Sequence, residues 1–209
     1  MDKVKKRTPS VYSSMSKILG ELDRRREEGS TRALMANLRN SIGKDFSQTV
    51  AVWPIMFQYL PAEYLSKNGI VTKSERAILS ALQLYAIYQQ GIRDSVLIDR
   101  EGDNHQNFAS SLKRIRDVDD SVALDRRFNV LITSSTYEEF FHHLKQMIQL
   151  LKAGTKAVNI EKINFASLAA DLYEIQKADG REKVRLRWAQ NYYYQENHSK
   201  VEGESSNEQ

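Results

Sequence analysis

Between residues 74 and 90 the apolar side chains Ile78, Ala81, Leu82, Tyr85 and Tyr88 recur at helical spacing, which lays them along one face. Ser74 offers a capping hydroxyl ahead of the run and Gly91 a stop behind it. The hydroxyl can accept from free first-turn amides, and glycine tolerates the left-handed turn that ends many helices. The stretch 136–152 repeats the pattern with Tyr137, Phe140, Phe141, Leu144, Ile148 and Leu151. Thr136 followed by Glu139 has the spacing of a capping box, and Gly154 supplies the stop. Weaker periodicity predicts helices over 10–28, 31–42, 49–60, 106–116, 119–134, 164–177 and 181–194. No stretch sustains the apolar–polar alternation of a half-buried strand.

The expected fold is all-α, two packed helical bundles with about eight to nine helices and no sheet. Residues 92–105 (IRDSVLIDREGDNH) lack helical spacing and hold Gly102 between acids. They read as the longest loop, with 93–105 connecting an N-terminal bundle, 10–92, to a C-terminal bundle, 106–195. A basic arm, 1–9, precedes the first bundle, and a polar, acidic tail with the composition of a disordered segment, 196–209, follows the second.

Composition narrows the function classes. Over 209 residues a 41% hydrophobic content can build a real core. Lys+Arg 31 against Asp+Glu 27 leaves only +4, so the distribution of charge matters more than its sum. The arm concentrates Lys3, Lys5, Lys6 and Arg7, and the tail Glu196, Glu202, Glu204 and Glu208 against Lys200. Without cysteine there is no disulfide, thiolate zinc site or thiol nucleophile, and a cytoplasmic location is expected. No apolar run approaches the roughly 20 residues of a membrane span, so no membrane partner is expected.

Catalytic constellations are not legible. No glycine elbow surrounds a serine, and the phosphate-cradling patterns Gly-x-Gly-x-x-Gly and Gly-x-x-x-x-Gly-Lys-Ser/Thr do not occur. Glu139 and His142 have the Glu-x-x-His spacing of bundle di-metal sites, but a second such pair is missing. No enzyme activity, metal or cofactor is expected.

Cations do recur beside apolar stripes. SLKRIR carries Lys113, Arg114 and Arg116; LDRRFNVLI carries Arg126 and Arg127; HLKQMIQLLK carries Lys145; REKVRLRW carries the rows Arg181/Arg185 and Lys183/Arg187. Arg32, Arg39 and Lys44 form a sparser group. Two readings compete: a positive groove for a polyanion, or arginines that tie helices together through buried acids. Arg126 and Arg127 lie about 100° apart on a helix, so at least one sits at the core's edge. Trp53, Trp188, Tyr173 and Tyr192 to Tyr194 could stack on bases, although aromatics at this spacing are more often core.

The segments VWPIMFQYLP, LQLYAIYQQG, SLKRIR, DRRFNVLI, HLKQMIQLLK, DLYEIQ and VRLRWAQNYY, in that order, resemble the small subunit, CasB, of the type I-E CRISPR Cascade complex. The likeness runs from about Thr31 to Tyr193. It implies a non-catalytic helical protein that sits as two copies along the Cascade backbone subunits, near the large subunit, and stabilises the R-loop of guide RNA and target DNA. The nucleic-acid-binding positions assigned from the clusters and this likeness are Arg32, Arg39, Lys113, Arg114, Arg116, Arg126, Arg127, Lys145, Arg185 and Arg187. Family members commonly place a glycine before the leucine of the SLKRIR segment, whereas Ala109, Ser110 and Ser111 stand here. The alternative is a structural adaptor whose arginines meet acidic proteins.

Overall fold

A computed structural model describes residues 10–98, 106–116, 121–154 and 160–194. Its α-helices are α1 (Val11–Arg24), α2 (Gly29–Asn40), α3 (Trp53–Phe57), α4 (Lys73–Gln89), α5 (Phe108–Arg114), α6 (Val122–Thr133), α7 (Tyr137–Gly154), α8 (Phe165–Ile175) and α9 (Gly180–Tyr193). The fold is all-α. Among the described residues the one β-type pairing is an isolated parallel bridge between Leu97 and Ile163, which belongs to no sheet.

Helix α4 is the central post. Ala77, Ile78, Ala81, Leu82, Leu84, Tyr85, Ala86 and Tyr88 are all buried, and a helix that is apolar all round needs neighbours all round. It finds them in α1, α2, α3, α7 and α8. Its cap is Thr72, not Ser74. The Thr72 hydroxyl accepts from the Glu75 amide at 3.1 Å while the Glu75 carboxylate accepts from the Thr72 amide at 2.7 Å, a reciprocal pairing that Ser74 cannot form. Gly91, at φ 79°, ends the helix in the left-handed turn that glycine adopts without strain.

The helices form two clusters. One holds α1, α2, α3 and α4 with α8, and the other holds α5, α6, α7 and α9. Helix α8 therefore comes from the second half of the chain but packs with the first. Residues 92–98 of the expected connection lie along this contact: the Ile163 amide donates to the Val96 carbonyl at 2.9 Å. The rest of that connection, the arm 1–9 and the tail lie outside the described residues. The expected helix over 49–60 is broken into a 3-10 turn, Val50–Val52, and the short α3. Pro54 is the cause, since it lacks an N–H and starts a helix more readily than it continues one.

Where α8 hands over to α9, Gly180 is wedged against the preceding helix. A Cβ there would collide with the backbone carbonyl of Glu174, which no side-chain rotation relieves. Gly180→Ala is expected to destabilise the protein by about 1–3 kcal/mol in urea unfolding, whereas Gly154→Ala, with open space around its Cβ position, is expected to be near neutral. Equal midpoints for the two variants would contradict this packing.

Candidate nucleic-acid interface

An arginine at the edge of an apolar core keeps its charge available only if no neighbouring helix presents a carboxylate. On α9 that condition fails. Arg187 donates to one carboxylate oxygen of Asp171 on α8, and the Trp188 indole donates to the other at 2.7 Å. Asp171 is 3% exposed. Burial pushes its carboxyl above the usual range, and the cation and indole oppose that rise. Arg185 donates to the Ser134 carbonyl at 2.6 Å and pairs with Glu182 at 3.0 Å, and Arg181 donates to the Ser135 carbonyl. The row Arg181/Arg185 thus holds the α6–α7 turn, and Arg187 holds the buried acid.

The cations around α5 are likewise engaged. Arg116 makes a two-point pair with Asp125 on α6, both contacts at 2.9 Å, with the Tyr192 and Tyr193 rings 5.6 and 5.7 Å away. Its guanidinium, helped by the Tyr192 hydroxyl, holds the Asp125 carboxyl down at about 2. Arg114 pairs with Glu161 at 2.5 Å, and Lys113 donates to the carbonyl of Tyr194.

Arg32 and Arg39 line one cleft of about 760 Å³ between α1, α2 and the end of α4, together with Arg26 and Arg93. Arg26 and Arg93 were not singled out in the sequence: Arg26 ends the run Arg24-Arg25-Arg26 beside Glu27 and Glu28, and Arg93 stands next to Asp94 far along the chain. Arg39 donates to the Ala86 carbonyl at 3.3 Å, and Lys152 of α7, which does not line the cleft, reaches the Ile87 carbonyl at 2.7 Å. Cations at the C-terminal end of α4 complement its free carbonyls, so part of this charge serves the helix. Arg32 pairs with Glu27 at 3.5 Å, both side chains exposed.

The outer face of α6 and α7 differs. Arg126 and Arg127 are exposed, Lys145 is half-buried, and none of the three has an ion-pair partner among the described residues. Arg126 and Arg127 share a shallow cleft of about 250 Å³ with Val130, His143, Gln146 and Met147. No carboxylate lines it. The core explains the placement: Phe128 and Leu131 are fully buried, which turns both neighbouring arginines outward, and Asp125, one residue earlier, spends its charge on Arg116.

The structure therefore brings Arg126, Arg127 and the α7 flank into one region and Arg32 with Arg39 into another. It places Lys113, Arg114, Arg116, Arg185 and Arg187 in contacts between elements of the protein itself. Among the aromatics, Trp188 and Tyr192 are buried in the core, while Tyr193 and Tyr194 are exposed. Glu139 accepts from the Ser135 amide at 2.7 Å and its own amide donates to the Thr136 hydroxyl at 3.1 Å. His142 meets Gln146. Among the described residues no group of His, Cys, Asp or Glu could hold a metal ion, and no helix is long and apolar enough to cross a membrane.

Comparison with known proteins gives a consistent result. The family model described as CRISPR-associated protein Cse2 matches residues 34–193. CasB from Thermobifida fusca has a similar structure, with a TM-score of 0.67, 22% identity, and coverage of 90% of this chain and 100% of that one. A CRISPR-associated protein of the Cse2 family from Thermus thermophilus follows, with a TM-score of 0.59, 20% identity, and coverage of 90% and 99%. No curated protein matches the chain.

Two outcomes separate structural cations from available ones. Arg187→Ala leaves Asp171 buried without its cation and is expected to cost roughly 2–4 kcal/mol in chemical unfolding, while Arg126→Ala should stay within about 0.5 kcal/mol. The Arg116–Asp125 pair sets a pH dependence. Because the folded carboxyl titrates near 2 and the free group near 3.8, its stabilisation is present above 3.8 and is lost as pH falls toward 2. That contribution is on the order of 1–2 kcal/mol, and Arg116→Ala should remove most of it. A variant whose acid profile matches the parent's would contradict the assignment.

Proposed function

Since the chain belongs to the CRISPR-associated Cse2 family, whose model spans residues 34–193, we propose that it serves as the non-catalytic small subunit of a type I-E Cascade surveillance complex. In this role two copies lie along the backbone subunits beside the large subunit, and the α6–α7 face steadies target or displaced DNA in the R-loop opened by guide RNA. The observation that carries the reading is the pair Arg126 and Arg127, which share a cleft with no carboxylate in its lining; Lys145 of α7 does not line that cleft. The cleft with Arg32 and Arg39 adds a second, weaker contact. Lys113, Arg114, Arg116, Arg185 and Arg187 act indirectly, by fixing the helices that present the face.

The energetics suit a sequence-neutral holder. Replacing a DNA duplex with an RNA–DNA duplex is nearly balanced in free energy, so a few phosphate contacts tip it. Guide pairing carries the sequence information, and nothing in the α6–α7 face has to read bases.

A structural adaptor is the second reading, favoured by one feature. Val122 and Val130 are 59% and 47% exposed on α6 with Arg126 between them, a mixed surface that also suits a protein neighbour. Both readings are tested by Arg126→Glu/Arg127→Glu in the reconstituted complex. The strand-holding reading expects normal incorporation and an R-loop lifetime on matched target shortened by roughly 10-fold or more. An unchanged lifetime with normal incorporation would overturn it, and loss of incorporation would transfer the face to the adaptor reading.

A further inference from the structure

We infer that the aromatic cleft between residues 45–57 and the start of α4 is a docking pocket for an arginine side chain of a protein neighbour. It concerns other elements and another class of partner than the α6–α7 face. It rests on the small-subunit reading only for where that neighbour is found.

The pocket is built from an interrupted helix. Pro54 breaks the stretch over 49–60, and the short α3 carries Trp53 and Phe57 four residues apart, hence on one face. The 3-10 turn Phe46–Gln48 adds a third ring. Phe46 and Trp53 stack with centroids 5.7 Å apart, and Phe57 lies 5.9 Å from Trp53 and 6.4 Å from Phe46. The Trp53 indole donates to the Thr49 hydroxyl at 3.2 Å, which fixes its ring. Leu65, Ser66, Gly69 and Val71 complete the lining of a cleft of about 610 Å³. Gly69 turns this loop at φ 78°, and the Glu75 carboxylate ties it to α4 by accepting from the Ser66 amide at 3.1 Å. A site held this way is shaped before a partner arrives, which lowers the ordering cost of binding.

Charge selects the occupant. The lining holds two carboxylates, Asp45 and Glu75, and no cation. Asp45 is exposed, whereas Glu75 is buried and its carboxylate accepts from the backbone amides of Ser66 and Thr72. Lys44 and Lys67 are near in sequence but do not line the cleft. Two acids repel a phosphate backbone, so nucleic acid is a poor occupant. Aromatic faces attract cations, and elsewhere the chain supplies them itself: Lys177 lies 4.0 Å from the centre of the Tyr173 ring and Arg116 5.7 Å from that of Tyr193. Among the described residues no cation lies over Phe46, Trp53 or Phe57. Arginine suits the combination better than lysine, because a planar guanidinium can stack on Trp53 while its N–H groups donate to Asp45.

Two experiments test the pocket. The full chain is titrated with N-acetylarginine amide and, at equal ionic strength, with the uncharged isostere N-acetylcitrulline amide, while NMR follows the indole N–H signals of Trp53 and the buried Trp188. The Trp53 signal is expected to move with arginine alone, with an apparent Kd on the order of 10–50 mM. Asp45→Asn should weaken this binding by roughly 3-fold or more. Equal movement with both compounds, or movement with neither, would refute the cation preference. In the reconstituted complex, Ser47, which is exposed and lines the cleft, is replaced by the photo-cross-linker p-benzoylphenylalanine. It is expected to capture an arginine-bearing peptide of another protein subunit, and Asp45→Lys should reduce that yield. Capture of nucleic acid, or no capture in a complex that holds the chain at its normal level, would defeat the docking. If the parent chain never enters the complex, the small-subunit reading fails, and the titration decides the pocket by itself.

Discussion

The carboxylate of Asp171 is the constraint on which the arrangement turns. It sits 3% exposed on α8, the member of the first helix cluster that packs against α9 of the second. A buried charge is tolerated only when paired and hydrogen-bonded, and both partners, Arg187 and Trp188, come from α9. Meeting that demand fixes the rotation of α9. With α9 fixed, Trp188 packs against Phe108 and Phe140, and Tyr192 against Phe128. These contacts seat α5, α7 and α6 in turn. The outward direction of Arg126 and Arg127 is thus a consequence of how α6 is held from behind.

The same logic divides the cations into two kinds. Those that meet Asp125, Asp171, Glu161 or the free carbonyls of helix ends hold the fold together, and their charge is largely spent locally. Those on the outer face of α6 and α7 meet no acid among the described residues. A mixed-charge body with one such face can hold a phosphate backbone without indiscriminate attraction to bulk nucleic acid, because at physiological salt charges beyond about 8 Å are screened.

Much of the fold was legible in the amino-acid order. The strong periodicity of α4 and α7 marks both helices to within a few residues, and the weaker patterns mark the others. Local effects moved the boundaries: Thr72 displaced Ser74 as a cap because Glu75 answers it, and Pro54 broke the stretch over 49–60. What periodicity cannot show is which neighbour a helix chooses, so the membership of α8 in the first cluster was invisible. The site was legible in part for the same reason. A run such as VRLRW announces cations but not the acid one helix away that neutralises them, and Asp171 in DLYEIQ carries no local sign of being buried. Arg26 and Arg93 were missed because tertiary packing alone gathers them beside Arg32 and Arg39.

The division between structural and available cations is tested most directly inside an assembled complex. A matched target carrying photoreactive 4-thiothymidine along the opened strands can be cross-linked, and the attached peptides of this subunit identified by mass spectrometry. Cross-links are expected on the outer faces of α6 and α7, within the helical turns that carry Arg126, Arg127 and Lys145. Cross-links confined to α5 and α9, or none on this subunit in a complex that contains it and holds an R-loop, would contradict the account.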